Sequence, residues 1–257
     1  MRIELFGIPV DNLSRDEIIC HFDKMVSPTN STQRCCYADL NVSKLVVARK
    51  TKAIYYSLKN SDIVVSDGQP IVWISWLFGS PLRERIAGCD FFQELISHGS
   101  KNGIKYFLLG AKKDVVVKVK TVFENKNPGV NIVGYRDGYF NEAEEPDVVN
   151  AINSSGAQVL FIGISSPKQE EFVQRNKNNL KSIRWIQGVG GSFDVVAGIV
   201  TRAPVWMQKA GLEWFYRLLQ EPRRMLRRYF ITNSVFIWLV IRELIRIRYR
   251  ILIKRIT

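Results

Sequence analysis

Short continuous apolar runs, each bounded by turn residues, alternate along this chain with segments of helical period. "RCCYADLN" leads into "VSKLVVARKTKAIYYSLKN", and "SDIVVSDG" ends in a turn. "GIKYFLLGA" precedes "KKDVVVKVKTVFENK", and "NIVGYRDGYF" carries its own Gly turn. "AQVLFIGIS" precedes "PKQEEFVQRNKNNL", and "IRWIQGVGGSFDVVAG" closes the series with a glycine loop. Strands that are apolar on both faces and separated by helices belong to a parallel sheet covered on two sides. The pattern therefore predicts an α/β fold, with ligands bound beyond the carboxyl ends of the strands. No internal repeat or low-complexity segment interrupts it.

Charge divides the chain in two. Of a net charge of +13, residues 202–257 carry +10, from 13 Lys/Arg against Glu213, Glu221 and Glu243. A near-neutral domain over 1–201 thus precedes a basic appendage over 202–257, and such asymmetry points to an anionic partner. The boundary falls near "TRAPVWMQ", where Pro204 suits the first turn of a helix. "VWMQKAGLEWFYRLLQ" and "PRRMLRRYF" read as helices broken near Pro222. Further on, Trp238, Ile241, Ile245, Tyr249, Leu252 and Ile256 recur at spacings of three and four. Arg242, Arg246, Arg250 and Lys254 run beside them. A basic amphipathic helix of this kind either lies on a membrane surface or docks its stripe on the core, and Trp238 and Tyr249 as interfacial anchors favour the first reading. A nucleic-acid partner is disfavoured, because the arginines adjoin an apolar stripe and no nucleic-acid motif precedes them.

Cys20, Cys35, Cys36 and Cys89 form no C-x-x-C pair, and the chain has two histidines. Reduced, buried thiols are expected rather than a zinc site or a disulfide framework. The start, "MRIELFGIPVDN", lacks the basic and apolar regions of a signal peptide. "VFIWLVI" is far short of the ~20 apolar residues a membrane span requires.

Four loops follow strands, and a parallel sheet would gather them at one edge. They contain Asp39 and Asn41 in "ADLN", Asp67 in "SDGQP", the helix start "ISSPKQEEF", and the glycines of "GVGGSFD". In the third, Ser166 is placed to cap a helix, Pro167 to occupy its first position and Gln169 to complete a capping box. Helix starts and glycine loops seat phosphates well, although each of these motifs alone also reads as an ordinary turn or cap. "GVGG" is not the dinucleotide fingerprint, which counts against a nicotinamide-dependent oxidoreductase on a similar sheet. The chain has no Asp-x-Asp motif and no ligand-spaced His, Cys or carboxylate cluster, so no dedicated metal and no cofactor is expected, which leaves open a metal carried in by the substrate.

Taken together, "ADLNVSKL", "SDGQPIVWISWLFGSPLRERIAGCDFF", "GISSPKQEEF" and "GVGGSFDVVAGIVTRAPVWMQKAGLEWFYRLLQEPRR" resemble the WecG/TagA/CpsF glycosyltransferases, glycosyltransferase family 26, up to about Arg228. The resemblance implies a Rossmann-like, mostly parallel sheet with a C-terminal helical membrane-binding appendage. It implies an inverting, metal-independent enzyme, peripheral on the cytoplasmic face of the bacterial plasma membrane. Such enzymes move a sugar, often N-acetylmannosamine, from UDP to an undecaprenyl-diphosphate-linked sugar during surface polysaccharide synthesis. A homo-oligomer is compatible with this.

By the same resemblance Asp67 falls on the catalytic base, and Asn41 on the polar residue ending a Thr-x-Asn pattern. Arg85 and Gln169 fall on active-site positions. Arg217, Arg224 and Arg227 fall on arginines that hold the lipid diphosphate. Gly110, Ala111, Gly163, Ser166, Pro167, Lys168, Gly190, Gly191, Ser192 and Asp194 are the candidates for the UDP-sugar. Asp39 stands where the family usually has Thr. A second carboxylate there would raise the pKa of one of the pair, or mark a different donor or acceptor sugar.

Overall fold

The computed structural model describes residues 1–27 and 33–256, with side chains throughout that range except at 209, 224, 227, 228 and 250–256. Six strands form one sheet. They are β3 (Cys35–Leu40), β4 (Ile63–Ser66), β5 (Lys105–Gly110), β6 (Asn131–Arg136), β7 (Val159–Gly163) and β8 (Trp185–Gly188), following an N-terminal hairpin of β1 (Arg2–Leu5) and β2 (Ile8–Asp11). The order across the sheet is β4-β3-β8-β7-β5-β6, and every pairing is parallel. The fold is thus the parallel α/β sheet expected from the alternation of runs, with the Rossmann-like form that the family resemblance implies. Because all six strands run the same way, the loops after β3, β4, β7 and β8 gather at one edge. The connection from β5 leads outward to β6 and that from β7 leads the opposite way to β8, which opens a crevice between them.

Both faces of the sheet are covered, and the two-residue period of a strand assigns the residues to them. Tyr37, Val65, Tyr106, Leu108, Phe161 and Trp185 pack on one side, under Phe22, Phe91, Phe92 and Val116. On the other side, Leu40 and Val64 meet Leu45, Ile54 and Ile71, while Leu109, Leu160 and Ile162 meet Val148, Ile152 and Phe172. Burying each such side chain stabilises the fold by about 1.5–3 kcal/mol.

The hairpin turns through Phe6 and Gly7, both at positive φ (53° and 82°). Two such residues make the turn whose twist suits a two-residue hairpin. Ile3, Leu5, Ile8 and Val10 are buried beneath it, and Asp11 Oδ2 accepts the backbone N–H of Val64 at 2.9 Å.

Several sequence expectations are corrected. The segment after β3 is two helices, Val42–Ala48 and Lys52–Lys59, because Thr51 takes up extended backbone between them. "VWMQKAGLEWFYRLLQ" is likewise two helices, Val205–Lys209 and Glu213–Gln220, since Gly211 turns the chain at φ +71°. The capping box at Ser166 does not form. The helix runs Lys168–Asn176 with Pro167 as its cap, and the Ser166 hydroxyl donates instead to Glu170 Oε1 at 2.8 Å. The cysteines are free, but they are not all buried, for Cys20 is exposed.

Pro222 opens a single helix, Pro222–Ile256, which contains both the arginine cluster and the amphipathic stripe. Phe236 and Leu239 of this helix are buried, and Phe236 packs edge-on to Phe6 of the hairpin. Trp238, Ile241, Ile245 and Tyr249 are all more than half exposed. The docking face is therefore not the stripe read from the sequence. Leu252, Ile256, Arg250 and Lys254 lie outside the described side chains. Among the described residues, no helix is long and apolar enough to cross a membrane.

Candidate active site

Asn41 ends β3 and caps the helix Val42–Ala48, its Oδ1 accepting the Lys44 backbone N–H at 3.0 Å. That leaves its Nδ2 free to donate to Asp67 Oδ2 at 3.2 Å. Asp67 stands directly after β4, and its other oxygen accepts the Gly88 backbone N–H at 2.9 Å. One residue thus converts a helix cap into a brace for a carboxylate on the neighbouring strand.

Asp39 approaches the same point. An ideal Cβ on Gly88 would lie 3.9 Å from Asp39 Cγ and 3.9 Å from Asp67 Oδ1, so the two carboxylates flank one small space. Burial first, and the Asp39 charge second, push the Asp67 carboxyl above its ordinary value, against the Gly88 N–H, Arg85 and Asn41. Tyr37 lies beneath with its phenol pushed well up, by burial and then by Asp39 and Asp67.

Lys44 completes the cluster, although nothing in the sequence singled it out. Its Nζ lies 3.3 Å from Asp39 Oδ1 and 3.8 Å from Glu170 Oε1, joining the β3 loop to the helix after β7. Burial works to lower its pKa, but the charges of Asp39 and Glu170 win and keep it raised. Gln169 is buried beside Glu170, and its amide occupies the place where a side chain on Gly188 would sit, 1.9 Å from an ideal Cβ there. Among the described residues, Tyr37 Oη, Gln169 Oε1 and Glu170 Oε2 are buried without a hydrogen-bond partner. Buried polar groups are nearly always paired, so three orphans around one cluster mark a place built for something polar.

Arg85 is placed differently from a group that faces the site. Its Nε donates to the Asp67 backbone carbonyl at 2.6 Å, Nη1 to the Gln208 carbonyl at 3.0 Å and Nη2 to Glu213 Oε2 at 2.7 Å. It thus fastens the Asp67 loop to the helices Val205–Lys209 and Glu213–Gln220. Arg217 is exposed and reaches this network through Glu213, at 3.2 Å. Arg202 is paired with Asp90 and lies 3.6 Å from the same Glu213. The side chains of Arg224 and Arg227 lie outside the described ones.

The remaining candidates line the crevice farther along the strand ends. Gly110 has φ +144°, and an ideal Cβ on it would fall 2.4 Å from the backbone of Gly163, so only glycine lets β5 and β7 close there. Ala111 follows at φ 54°, its N–H donating to the Gly163 carbonyl at 3.0 Å. Lys168 reaches across to the carbonyls of Gly138 and Phe140, with its ammonium 4.5 Å above the Phe140 ring. Ser166 and Pro167 are exposed at the mouth. Gly190 and Gly191 face open space, just before the short helix Ser192–Val196 that holds Asp194. Asp39, Asn41, Asp67 and Gln169 therefore form one linked group, and the glycines a second one along the same edge. Among the described residues, no three His, Cys, Asp or Glu stand close enough to hold a metal ion.

Comparison with known proteins identifies the family. A family model described as "Glycosyl transferase WecG/TagA/CpsF family" matches residues 3–250. The chain belongs to the WecG/TagA/CpsF glycosyltransferase family. The match extends past Arg228 into the C-terminal helix, as far as residue 250. One relative, from Bacillus subtilis (strain 168), is 37% identical over 177 residues, covering 69% of this chain and 68% of its own. Another, from Bacillus spizizenii (strain ATCC 23059 / NRRL B-14472 / W23), is 32% identical over 197 residues, covering 73% and 76%. Both are named N-acetylglucosaminyldiphosphoundecaprenol N-acetyl-beta-D-mannosaminyltransferase.

Proposed function

We propose that this glycosyltransferase moves a hexose or hexosamine from a UDP-sugar to an undecaprenyl-diphosphate-linked sugar, with inversion, in bacterial surface polysaccharide synthesis. The observation that carries the reading is Asp67. It is a carboxylate at a strand end, braced by Asn41 and Gly88 and raised by burial and by Asp39. A raised carboxyl suits a general base working near neutrality.

In this mechanism an acceptor hydroxyl attacks the anomeric carbon as Asp67 takes its proton, and UDP departs with the bonding electrons. The bond to UDP breaks on the face opposite to attack, so an α-linked donor gives a β-linkage. Departing UDP is met by backbone N–H groups and glycines at the ends of β5, β7 and β8, and by Lys168. We take the reaction to need no dedicated metal, since diphosphate charge is met by these groups and by arginines. Arg217, Arg224 and Arg227 serve the acceptor's diphosphate, where a planar guanidinium binds phosphate at two points.

The division into a catalytic domain over 1–201 and an appendage over 202–257 follows the charge. The exposed stripe Trp238, Ile241, Ile245 and Tyr249, with Arg242 stacked 4.9 Å over Trp238, supports peripheral attachment to an anionic membrane; we place that attachment on the cytoplasmic face. The relatives' names make N-acetylmannosamine the first donor sugar to test and an N-acetylglucosamine-diphosphate lipid the first acceptor.

The experiment is a UDP-release screen over a panel of UDP-sugars with a lipid-diphosphate monosaccharide acceptor, run beside Asp67→Asn. One donor should release UDP only when acceptor is present, and the variant should lose that turnover while still binding UDP. Near-normal turnover in Asp67→Asn removes it as the base.

A further inference from the structure

The helix Gln69–Leu77, "QPIVWISWL", begins two residues after Asp67 and contains no charged side chain. Its inner face, with Ile71, Val72, Ile74 and Ser75, is buried in the core. Its outer face is not covered. Trp73 is 55% exposed, Trp76 64% and Leu77 56%, and their spacing of three and four sets them side by side. The Trp76 indole N–H is already spent on the Leu82 carbonyl at 3.1 Å, so what the helix shows outward is apolar. Soluble surfaces scatter single apolar residues, but a contiguous set of large ones marks a contact surface.

Two features identify what covers it. The first is continuity with positive charge. An ideal Cβ on Gly211 would lie 3.1 Å from the Trp73 ring, so this face adjoins the start of the basic segment, where Val205 and Trp206 are also about two-thirds exposed. Residues 202–257 carry +10 of the net charge. An apolar, Trp-rich face that adjoins a segment of net positive charge is complementary to the interface of an anionic bilayer. The second is its distance along the chain from the base. A polyprenyl-linked acceptor keeps its diphosphate at headgroup height, and Asp67 must come to that height to meet the sugar.

We infer that Trp73, Trp76 and Leu77 form a second membrane-contact surface, on the catalytic domain itself, which seats the Asp67 end of the sheet on an anionic bilayer. The inference rests on the lipid-linked acceptor proposed above. In this arrangement the C-terminal helix is not a tether from which the enzyme hangs. The sheet edge itself meets the lipid, and the site opens along the headgroup plane.

The test uses the full chain carrying Trp206→Phe, Trp214→Phe and Trp238→Phe. Its remaining indoles are Trp73, Trp76 and Trp185, and Trp185 is fully buried. Vesicles of phosphatidylcholine with phosphatidylglycerol, brominated in the acyl chains, should quench the emission, whereas pure phosphatidylcholine vesicles should quench far less. Leu77→Glu should weaken partition into the anionic vesicles about tenfold, as expected for losing one buried apolar side chain. Cosedimentation with vesicles but no quenching would overturn the inference and leave attachment through the C-terminal helix standing. Absence of cosedimentation would overturn both. Self-association through this face, seen by sedimentation as a dimer lost in Leu77→Glu and without quenching, would assign the surface to a second copy of the chain and overturn the inference as well. UDP release with a short-chain, water-soluble acceptor checks the sugar-transfer reading separately.

Discussion

Arg85 donates to Glu213 across 2.7 Å, and both side chains are largely buried. The same guanidinium holds the Asp67 carbonyl, so one residue connects the Asp67 loop to the helix Glu213–Gln220. Burial works against ionisation of Glu213, but the hydrogen bond from Arg85 and the charges of Arg217, Arg202 and Arg85 overcome it and hold its carboxyl below the ordinary value. Substituting Glu213→Gln should cost about 1.5–3 kcal/mol, the range for a charged hydrogen bond. For a chain of this size that lowers Tm by about 3–10 °C. The depressed value also sets a sign. The stability Glu213 contributes is present above its unfolded value and is lost as pH falls through the folded one. Wild type should therefore lose stability more steeply than Glu213→Gln in the acid range below about pH 4.5. Thermal melts of both proteins from neutral pH downward check this.

The sheet was legible in the sequence because its strands are apolar on both faces and end in turns. Asp39, Asn41 and Asp67 could be placed at one edge for the same reason. Lys44 and Glu170 were not legible as site residues, since a lysine on a helix and a glutamate in "KQEEF" look like solvated charges until β3 and β7 are brought close. The hairpin was also hidden, as Phe at positive φ in "LFGI" is not a turn residue that propensity would choose. Arg85 matched an active-site motif, yet its partners lie 123 and 128 residues away, and no spacing rule reaches that far. Of the apolar stripe read in the last helix, Trp238, Ile241, Ile245 and Tyr249 are exposed together. Which face docks was decided by Phe236 and Leu239, one turn apart and indistinguishable from it by periodicity.

With Asp67 as the proposed base, the pH dependence of turnover should follow Asp67 and its neighbour Asp39. Because burial first and Asp39 second hold Asp67 high, Asp39→Asn removes only the second cause. The acidic limb of the kcat profile should move to lower pH in Asp39→Asn, and a limb that stays in place would show that Asp39 does not act on the base. Asp67→Asn should lower turnover by about 10²–10⁴-fold. Stability should move the other way. A carboxyl raised in the folded state adds stability that is present below its unfolded value and is lost as pH rises through the folded one. At neutral pH its charge is a cost, so Asp67→Asn should melt no lower than wild type.

Two glycines of the crevice should separate strain from open space. Gly110→Ala forces a Cβ into the Gly163 backbone at φ +144°, and backbone cannot give way. It should cost about 3 kcal/mol or more. Gly190 also has positive φ, 50°, but nothing lies within 4 Å of its Cβ position. Gly190→Ala should cost only about 1–2 kcal/mol, the price of a left-handed alanine. Denaturant midpoints of the two variants give the comparison directly. Equal losses would mean that β5 and β7 do not close as tightly as the Gly110 contact requires.

The C-terminal helix offers a comparison within five residues. Phe236 is 9% exposed and packs with its ring centroid 6.5 Å from that of Phe6, whereas Ile241 is 52% exposed. Phe236→Ala should destabilise the protein by about 3 kcal/mol, as a large buried ring replaced by a methyl group does. Ile241→Ala should change stability by no more than about 0.5 kcal/mol. If the exposed stripe meets lipid, Ile241→Glu should weaken flotation with anionic vesicles while its melting temperature stays at the wild-type value. Phe236→Ala should lower the melting temperature without a matching loss of vesicle affinity, measured below its transition. The reverse pattern, with Ile241 variants unstable and Phe236 variants stable, would mean that the helix docks through its other face. The stripe of Trp238, Ile241, Ile245 and Tyr249 would then belong to the core rather than to a membrane.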